Sequence, residues 1–277
     1  MTPEISEFSY GFALTNEIVG WAPLSAAPVF PSLIEEGRVG GGYDVRLDMP
    51  GVPLYIQFKR ADCMKRRNAR EIRDFSLPLA FPFYRFKITE SGKSNQHELL
   101  LELDSGENMV LYAAPRFHEI VEINTAWNAN EVASRSIFVA PNEIGKLDAD
   151  SHHVAYDDTH AFLCSEPQPI KFLTSASMVE KLQGRLSDDS RPFGEKITGL
   201  IEGLERAKKR AEERAAETAE EAAAPYQVGP MPLPGAIERI PQRPTRMLSE
   251  QERGLRELSD TAAKVFNAQL VIVQEAT

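Results

Sequence analysis

The sequence predicts an α/β fold with a mixed central sheet, and three features of it point that way. Two runs on either side of residue 50 alternate apolar and polar residues with period two. Further strand-like runs, at 83–88, 109–113, 136–140 and 154–156, are interleaved with helix-patterned stretches. From about residue 190 the chain turns into a charged helix, a proline-rich stretch and a short helix–strand pair.

The first element is a helix through Phe12-Ala13-Leu14-Thr15-Asn16-Glu17-Ile18-Val19, which carries one acid, Glu17. Next, Tyr43, Val45 and Leu47 alternate with Asp44, Arg46 and Asp48, and Leu54, Ile56 and Phe58 alternate with Tyr55, Gln57 and Lys59. Between them lies Met49-Pro50-Gly51-Val52, where proline presets φ and glycine supplies a positive φ for a tight turn. The expectation is a β-hairpin in which Leu47 faces Leu54 and Val45 faces Ile56. Its polar face would set Asp44 opposite Gln57, with Lys59 one step along. The competing reading is an ordinary cross-strand ion pair of Asp44 with Lys59, beside a solvated Gln57.

Asp44-x(12)-Gln57-x-Lys59 resembles the core of the PD-(D/E)xK nuclease superfamily, in the variant with glutamine at the second acidic position that Mrr-like restriction nucleases carry. The resemblance spans roughly residues 8 to 172 in order of elements and four residues in chemistry. It implies a restriction-endonuclease-like αβββαβ core and a divalent-metal-dependent endonuclease that hydrolyses DNA phosphodiester bonds. It also implies bacterial defence against foreign DNA, within an assembly. Asp44 would be the main ligand of a Mg²⁺ (or Mn²⁺) ion, Gln57 would add its carbonyl oxygen, and Glu17 would bind through water or hold a second ion. Lys59 would orient the attacking water and stabilise transition-state charge. A hard cation of this kind takes oxygen ligands and activates water near neutral pH. The alternative of another class is a non-catalytic assembly or nucleic-acid-binding subunit that keeps the nuclease fold.

The chain has 277 residues and a net charge of −10, which argues against a nucleic-acid partner until its distribution is considered. From Arg60 to Arg73 six basic residues (Arg60, Lys65, Arg66, Arg67, Arg70, Arg73) stand against two acids, Asp62 and Glu71, directly after Lys59. Arg85 and Lys87 extend the run. A local basic excess beside a catalytic centre is what contact with a phosphate backbone requires; a solvated helix face is the competing reading. Arg116, just past the strand at 109–113, is a further phosphate-contact candidate or a structural ion pair.

Two cysteines, Cys63 and Cys164, are too few for a disulfide framework or a zinc site of the usual spacing. No apolar run is long enough to span a bilayer, and the Met-Thr-Pro-Glu start lacks the features of a signal peptide. The expectation is a cytoplasmic protein with no membrane partner. The pair His152-His153 falls in a strand-like stretch, where neighbours point to opposite faces, so hydrogen-bonded structural roles are expected of it.

The organisation expected is a nuclease-like domain over 1–180, a long charged helix over 190–224, a proline-rich linker over 225–246 and a helix–strand module over 247–277. The long helix has Phe193, Ile197, Leu200, Leu204, Ala207, Ala211 and Ala215 on one face, which fades into alanine. It is expected to project as a charged arm or to serve as a docking element. The last 30 residues cannot bury their own apolar face. They must dock on the body, on another copy or on a partner protein, for instance by adding a strand to a sheet edge. The expected partners are DNA and either a second copy of the chain or a separately encoded ATPase or sensor.

Overall fold

The computed structural model describes residues 1–21, 24–29, 45–89, 94–104, 108–148, 150–165, 167–221 and 249–275. Asp44 and the expected linker at 225–246 lie outside these residues. In chain order the elements are α1 (Glu7–Val19), β1 (Leu24–Val29), β2 (Val52–Phe58), β3 (Asp62–Met64), α2 (Arg70–Arg73), β4 (Phe83–Ile88), α3 (Gln96–Leu103) and β5 (Met109–Pro115). There follow α4 (Ile120–Ala129), β6 (Ser136–Val139), α5 (Pro141–Ile144), β7 (His152–Tyr156), β8 (Ala161–Leu163), β9 (Gln168–Pro169), α6 (Ser175–Asp188), α7 (Phe193–Glu221), α8 (Glu250–Lys264) and β10 (Gln269–Glu275).

Two five-stranded sheets result. The first is mixed, in the order β1-β10-β2-β5-β6, with β2 and β5 parallel and every other neighbour antiparallel. The second, β3-β4-β7-β8-β9, is antiparallel throughout. One face of the first sheet carries Leu54, Ile56, Val271 and Val273 and is covered by apolar residues of α1, α4 and α6. Its other face carries Tyr55, Tyr112, Leu270 and Ile272 and meets α3, α7, α8 and the inner face of the second sheet.

The expected hairpin does not form. Residues 45–49 make a coil and a turn, and the place beside β2 is taken by β10, which pairs Val271 with Leu54 and Gln269 with Ile56. The physical reason is apolar content. Leu270-Val271-Ile272-Val273 is apolar on both faces and suits an interior strand, whereas Arg46 and Asp48 would have placed charge between two packed layers. Residues 46–50 are instead tied to the far end of β10: the Gln274 amide accepts from the Arg46 N–H (2.9 Å) and donates to the Arg46 and Pro50 carbonyls (2.9 and 3.0 Å).

The terminal strand therefore docks on the body, in the interior of the sheet and not at an edge. The expected arm is also part of the core over half its length: Phe193, Ile197, Leu200, Leu204, Ala207 and Ala211 of α7 are all buried, and α7 packs on α3 and α8. Gly254 permits the α7–α8 contact, because a Cβ there would lie 2.6 Å from Ile197 Cγ2. Among the described residues no helix is long and apolar enough to cross a membrane.

Candidate functional site

Alternation along β2 sends Leu54, Ile56 and Phe58 to the α1 side of the sheet and Tyr55, Gln57 and Lys59 to the other. Gln57 is 3% exposed and Lys59 8%. Parallel pairing sets Gln57 level with Tyr112 of β5, and the Lys59 ammonium lies 5.3 Å from the centre of the Tyr112 ring. Phe86 and Tyr156 of the second sheet continue this aromatic wall. Lys59 is thus a cation in a largely apolar space. Burial pushes its ammonium down to about 8, with the Glu7 carboxylate offsetting part of the effect.

His97, at the start of α3, fixes the Tyr112 ring. Its Nε2 is 2.8 Å from the Gly145 carbonyl, which only accepts, so Nε2 carries the proton. Nδ1 is then the acceptor for the Tyr112 hydroxyl, also at 2.8 Å. Burial pushes His97 down to about 4, which keeps the ring neutral and this polarity constant over the physiological range. Gln57 has no such support. Among the described residues its buried Oε1 has no hydrogen-bond partner, nor does the Tyr55 hydroxyl two residues earlier on the same face. An unpaired buried polar atom costs roughly 1–3 kcal/mol, so the Gln57 carbonyl, two residues from a desolvated lysine, is polar capacity held in reserve.

Glu17 is not in this group. It sits on α1, which packs against the opposite face of the sheet. Its carboxylate accepts from the Val132 N–H at 2.7 Å and the Ala133 N–H at 3.2 Å, and so pins the turn between α4 and β6. Burial raises its pKa, and those two backbone donors hold the rise back. Glu17 as a metal ligand is therefore corrected: the helix was placed in sequence correctly, but it covers the wrong side of the sheet.

The basic cluster divides into engaged and open members. Lys65 reaches Glu119 (3.3 Å), Arg70 and Arg73 share Asp74 (3.6 and 2.7 Å), and Arg85 binds the buried Glu71 (2.7 Å) and Asp62 (3.4 Å). Arg60, Arg66 and Arg67 are exposed and have no carboxylate partner among the described residues; Arg67 lies over the Phe81 ring at 5.9 Å. Arg116 is a structural ion pair, bound to Asp158 at 2.8 Å and to the Ser134 carbonyl at 2.6 Å. Its expected phosphate role is corrected accordingly. His152 bonds Ser165 and Asp148, a structural role as expected.

Among the described residues no group of three or more His, Cys, Asp or Glu side chains is placed to hold a metal ion. Gln57 alone brings one neutral oxygen, and an ammonium stands beside it. The described donors do not by themselves fit Mg²⁺ or Mn²⁺, which require one or two carboxylates. Tyr112, His97 and Tyr55 were not singled out from sequence. The available signals were a tyrosine interrupting an apolar strand and a histidine opening a leucine-rich helix. Comparison of the chain with protein-family models, with curated proteins and with solved structures finds no match.

Proposed function

We propose that this chain is a phosphodiesterase acting on DNA, with Gln57 and Lys59 at its centre. The observation that carries the reading is the buried, partnerless Gln57 Oε1 set two residues from a desolvated lysine on one face of a central strand. A protein folded for stability alone replaces such groups with apolar ones at little cost. Support also comes from Arg60, just past the end of β2, and from Arg66 and Arg67, just past β3, which are exposed and have no carboxylate partner among the described residues. In this reading α1, β1, β10, β2, α3 and β5 stand for the six elements of a restriction-endonuclease-like αβββαβ core, with the second strand coming from the C-terminal end of the chain; the antiparallel β10 and the parallel pairing of β2 with β5 support it.

Lys59 is mostly protonated at pH 7 and partly neutral above 8. Its task in this reading is to place positive charge, in a water-poor site, on the oxygens of the scissile phosphate as negative charge builds there. The Tyr112 ring, held by His97, fixes where that charge sits. Gln57 orients the phosphate or its attacking water through the amide. Mg²⁺ or Mn²⁺ would supply charge neutralisation and a more acidic water; the described donors do not hold it by themselves, and Asp44, its expected ligand, lies outside the described residues. Bacterial defence, and activation by a separately encoded ATPase or sensor, follow from the resemblance alone.

The second reading, a non-catalytic assembly or nucleic-acid-binding subunit, is favoured by the structural use of Glu17 and the near-complete burial of Gln57. The two are separated by incubating plasmid and linear DNA with Mg²⁺ or Mn²⁺ and comparing wild type with Asp44→Ala and Lys59→Ala. Cleavage by wild type that both variants lose is the expected result. Equal cleavage by all three proteins, or none by wild type, overturns the enzymatic reading.

A further inference from the structure

Helix α1 is apolar on both sides. Tyr10, Ala13, Leu14 and Ile18 face the core, yet Phe8 is 82% exposed and Phe12 57% exposed on the outer side. Trp127 of α4 stacks on Phe12 with ring centres 5.4 Å apart, which makes a continuous aromatic ridge. The ridge is one side of a groove of about 540 Å³, lined by Phe8 and Phe12 themselves together with Gly11, Pro28, Phe58 and Ala268. Gly11 keeps it open: a Cβ there would come within 2.6 Å of the Phe58 ring. Exposed aromatic area of this kind marks an association surface.

We propose that this ridge and groove form the interface with a second copy of the chain. Two observations choose that occupant. Phe8 and Phe12 are both exposed and form part of the groove's own lining, so a two-fold axis beside α1 sets this one surface against itself, the self-pairing an isologous dimer requires. Among the described residues, no charged side chain lines the groove. Two copies that each carry −10 repel through most faces, and an uncharged face is where they meet at least cost. A nucleic acid or a charged peptide finds nothing to pair with there. At 82% and 57% exposure, and roughly 150–250 Å² for a whole side chain, Phe8 and Phe12 of two copies supply about a third of the ~1,600 Å² that a standard interface buries, and the rest of the groove adds to it.

The surface is distinct from the Gln57–Lys59 side of the sheet, so it stands or falls separately from the proposed activity. Ala263, Ala268 and Gln269 of the C-terminal segment help line the groove, while the buried faces of β10 and α7 are used within the chain.

The test is the mass of the full chain in solution by light scattering and sedimentation, over a range of concentrations. The expected value is twice the 30.9 kDa of one chain. Phe8→Ser with Phe12→Ser should weaken association at least ~100-fold and leave the circular dichroism spectrum that of the folded wild type, while the melting temperature falls toward that of wild type at high dilution. A tagged copy should retain untagged wild type but not the double variant. A wild type that is monomeric at every concentration overturns the proposal, whether or not native mass spectrometry finds an apolar small molecule in the groove. So does a double variant that stays dimeric.

Discussion

Glu17 and Gln57 are both polar residues at which the sequence pattern placed metal ligands, and the molecule treats them in opposite ways. The Glu17 carboxylate accepts two backbone N–H bonds and closes the turn before β6, so its hydrogen-bonding capacity serves the fold. The Gln57 carbonyl oxygen lies deeper and has no hydrogen-bond partner among the described residues, two positions from a lysine that burial drives toward neutrality. The first group lowers the energy of the folded chain and the second raises it. That contrast, more than residue type, separates a structural polar residue from a functional one.

The largest effect that sharpens the comparison is on activity. Lys59→Ala should lower metal-dependent DNA cleavage by at least ~10²-fold, read as initial rates on supercoiled plasmid. The wild-type rate should also fall as pH rises through about 8, where Lys59 loses its proton. An unchanged rate in the variant would place Lys59 with the structural residues.

Stability gives the next effect. Folding lowers the Lys59 pKa from 10.5 to about 8, so between these values the unfolded chain binds more protons and stability rises with pH. Below pH 8 the full cost of the buried cation is present. Lys59→Met keeps the aliphatic stem and removes the charge. Its urea unfolding free energy should exceed that of wild type by up to about 3 kcal/mol at pH 7, with the gap closing toward pH 10.5. A variant less stable than wild type at pH 7 would show that the ammonium stabilises the fold.

Glu17→Ala should behave in the reverse sense. Two backbone donors lose their acceptor, and the cost is roughly 1–3 kcal/mol, while cleavage per folded molecule stays the same. Glu17→Gln keeps an acceptor and should recover most of the loss. A fall in cleavage with stability intact would return Glu17 to the active site. At the small end, Arg73→Ala removes an exposed pair with Asp74 and should change stability by less than about 0.5 kcal/mol.

The period-two pattern of β2 was legible in the sequence, and with it the shared face of Gln57 and Lys59. The partner of β2 was not. Val45 and Leu47 alternate as a hairpin strand should, and only the doubly apolar run at 270–273 outcompetes them for an interior place. Nothing local connects that run to β2, and closing a long loop costs little more than closing a moderate one, so separation along the chain was no bar. Glu17 was correctly assigned to a helix, but which side of a sheet a helix covers depends on crossovers that no local pattern records. Tyr112 and His97 joined the site through parallel pairing of β2 with β5, a long-range fact of the same kind. The stripe on α7 was read as fading from an arm's core, yet it packs as far as Ala211, because α3 and α8 are both there to receive it.

The central claim, that Gln57 is held in place for function at a cost to the fold, is tested most directly by Gln57→Leu measured for melting temperature and DNA cleavage in one preparation. Leucine removes the unpaired carbonyl at similar volume. The account predicts a melting temperature equal to or above that of wild type, together with loss of cleavage. A lower melting temperature with cleavage retained would contradict it.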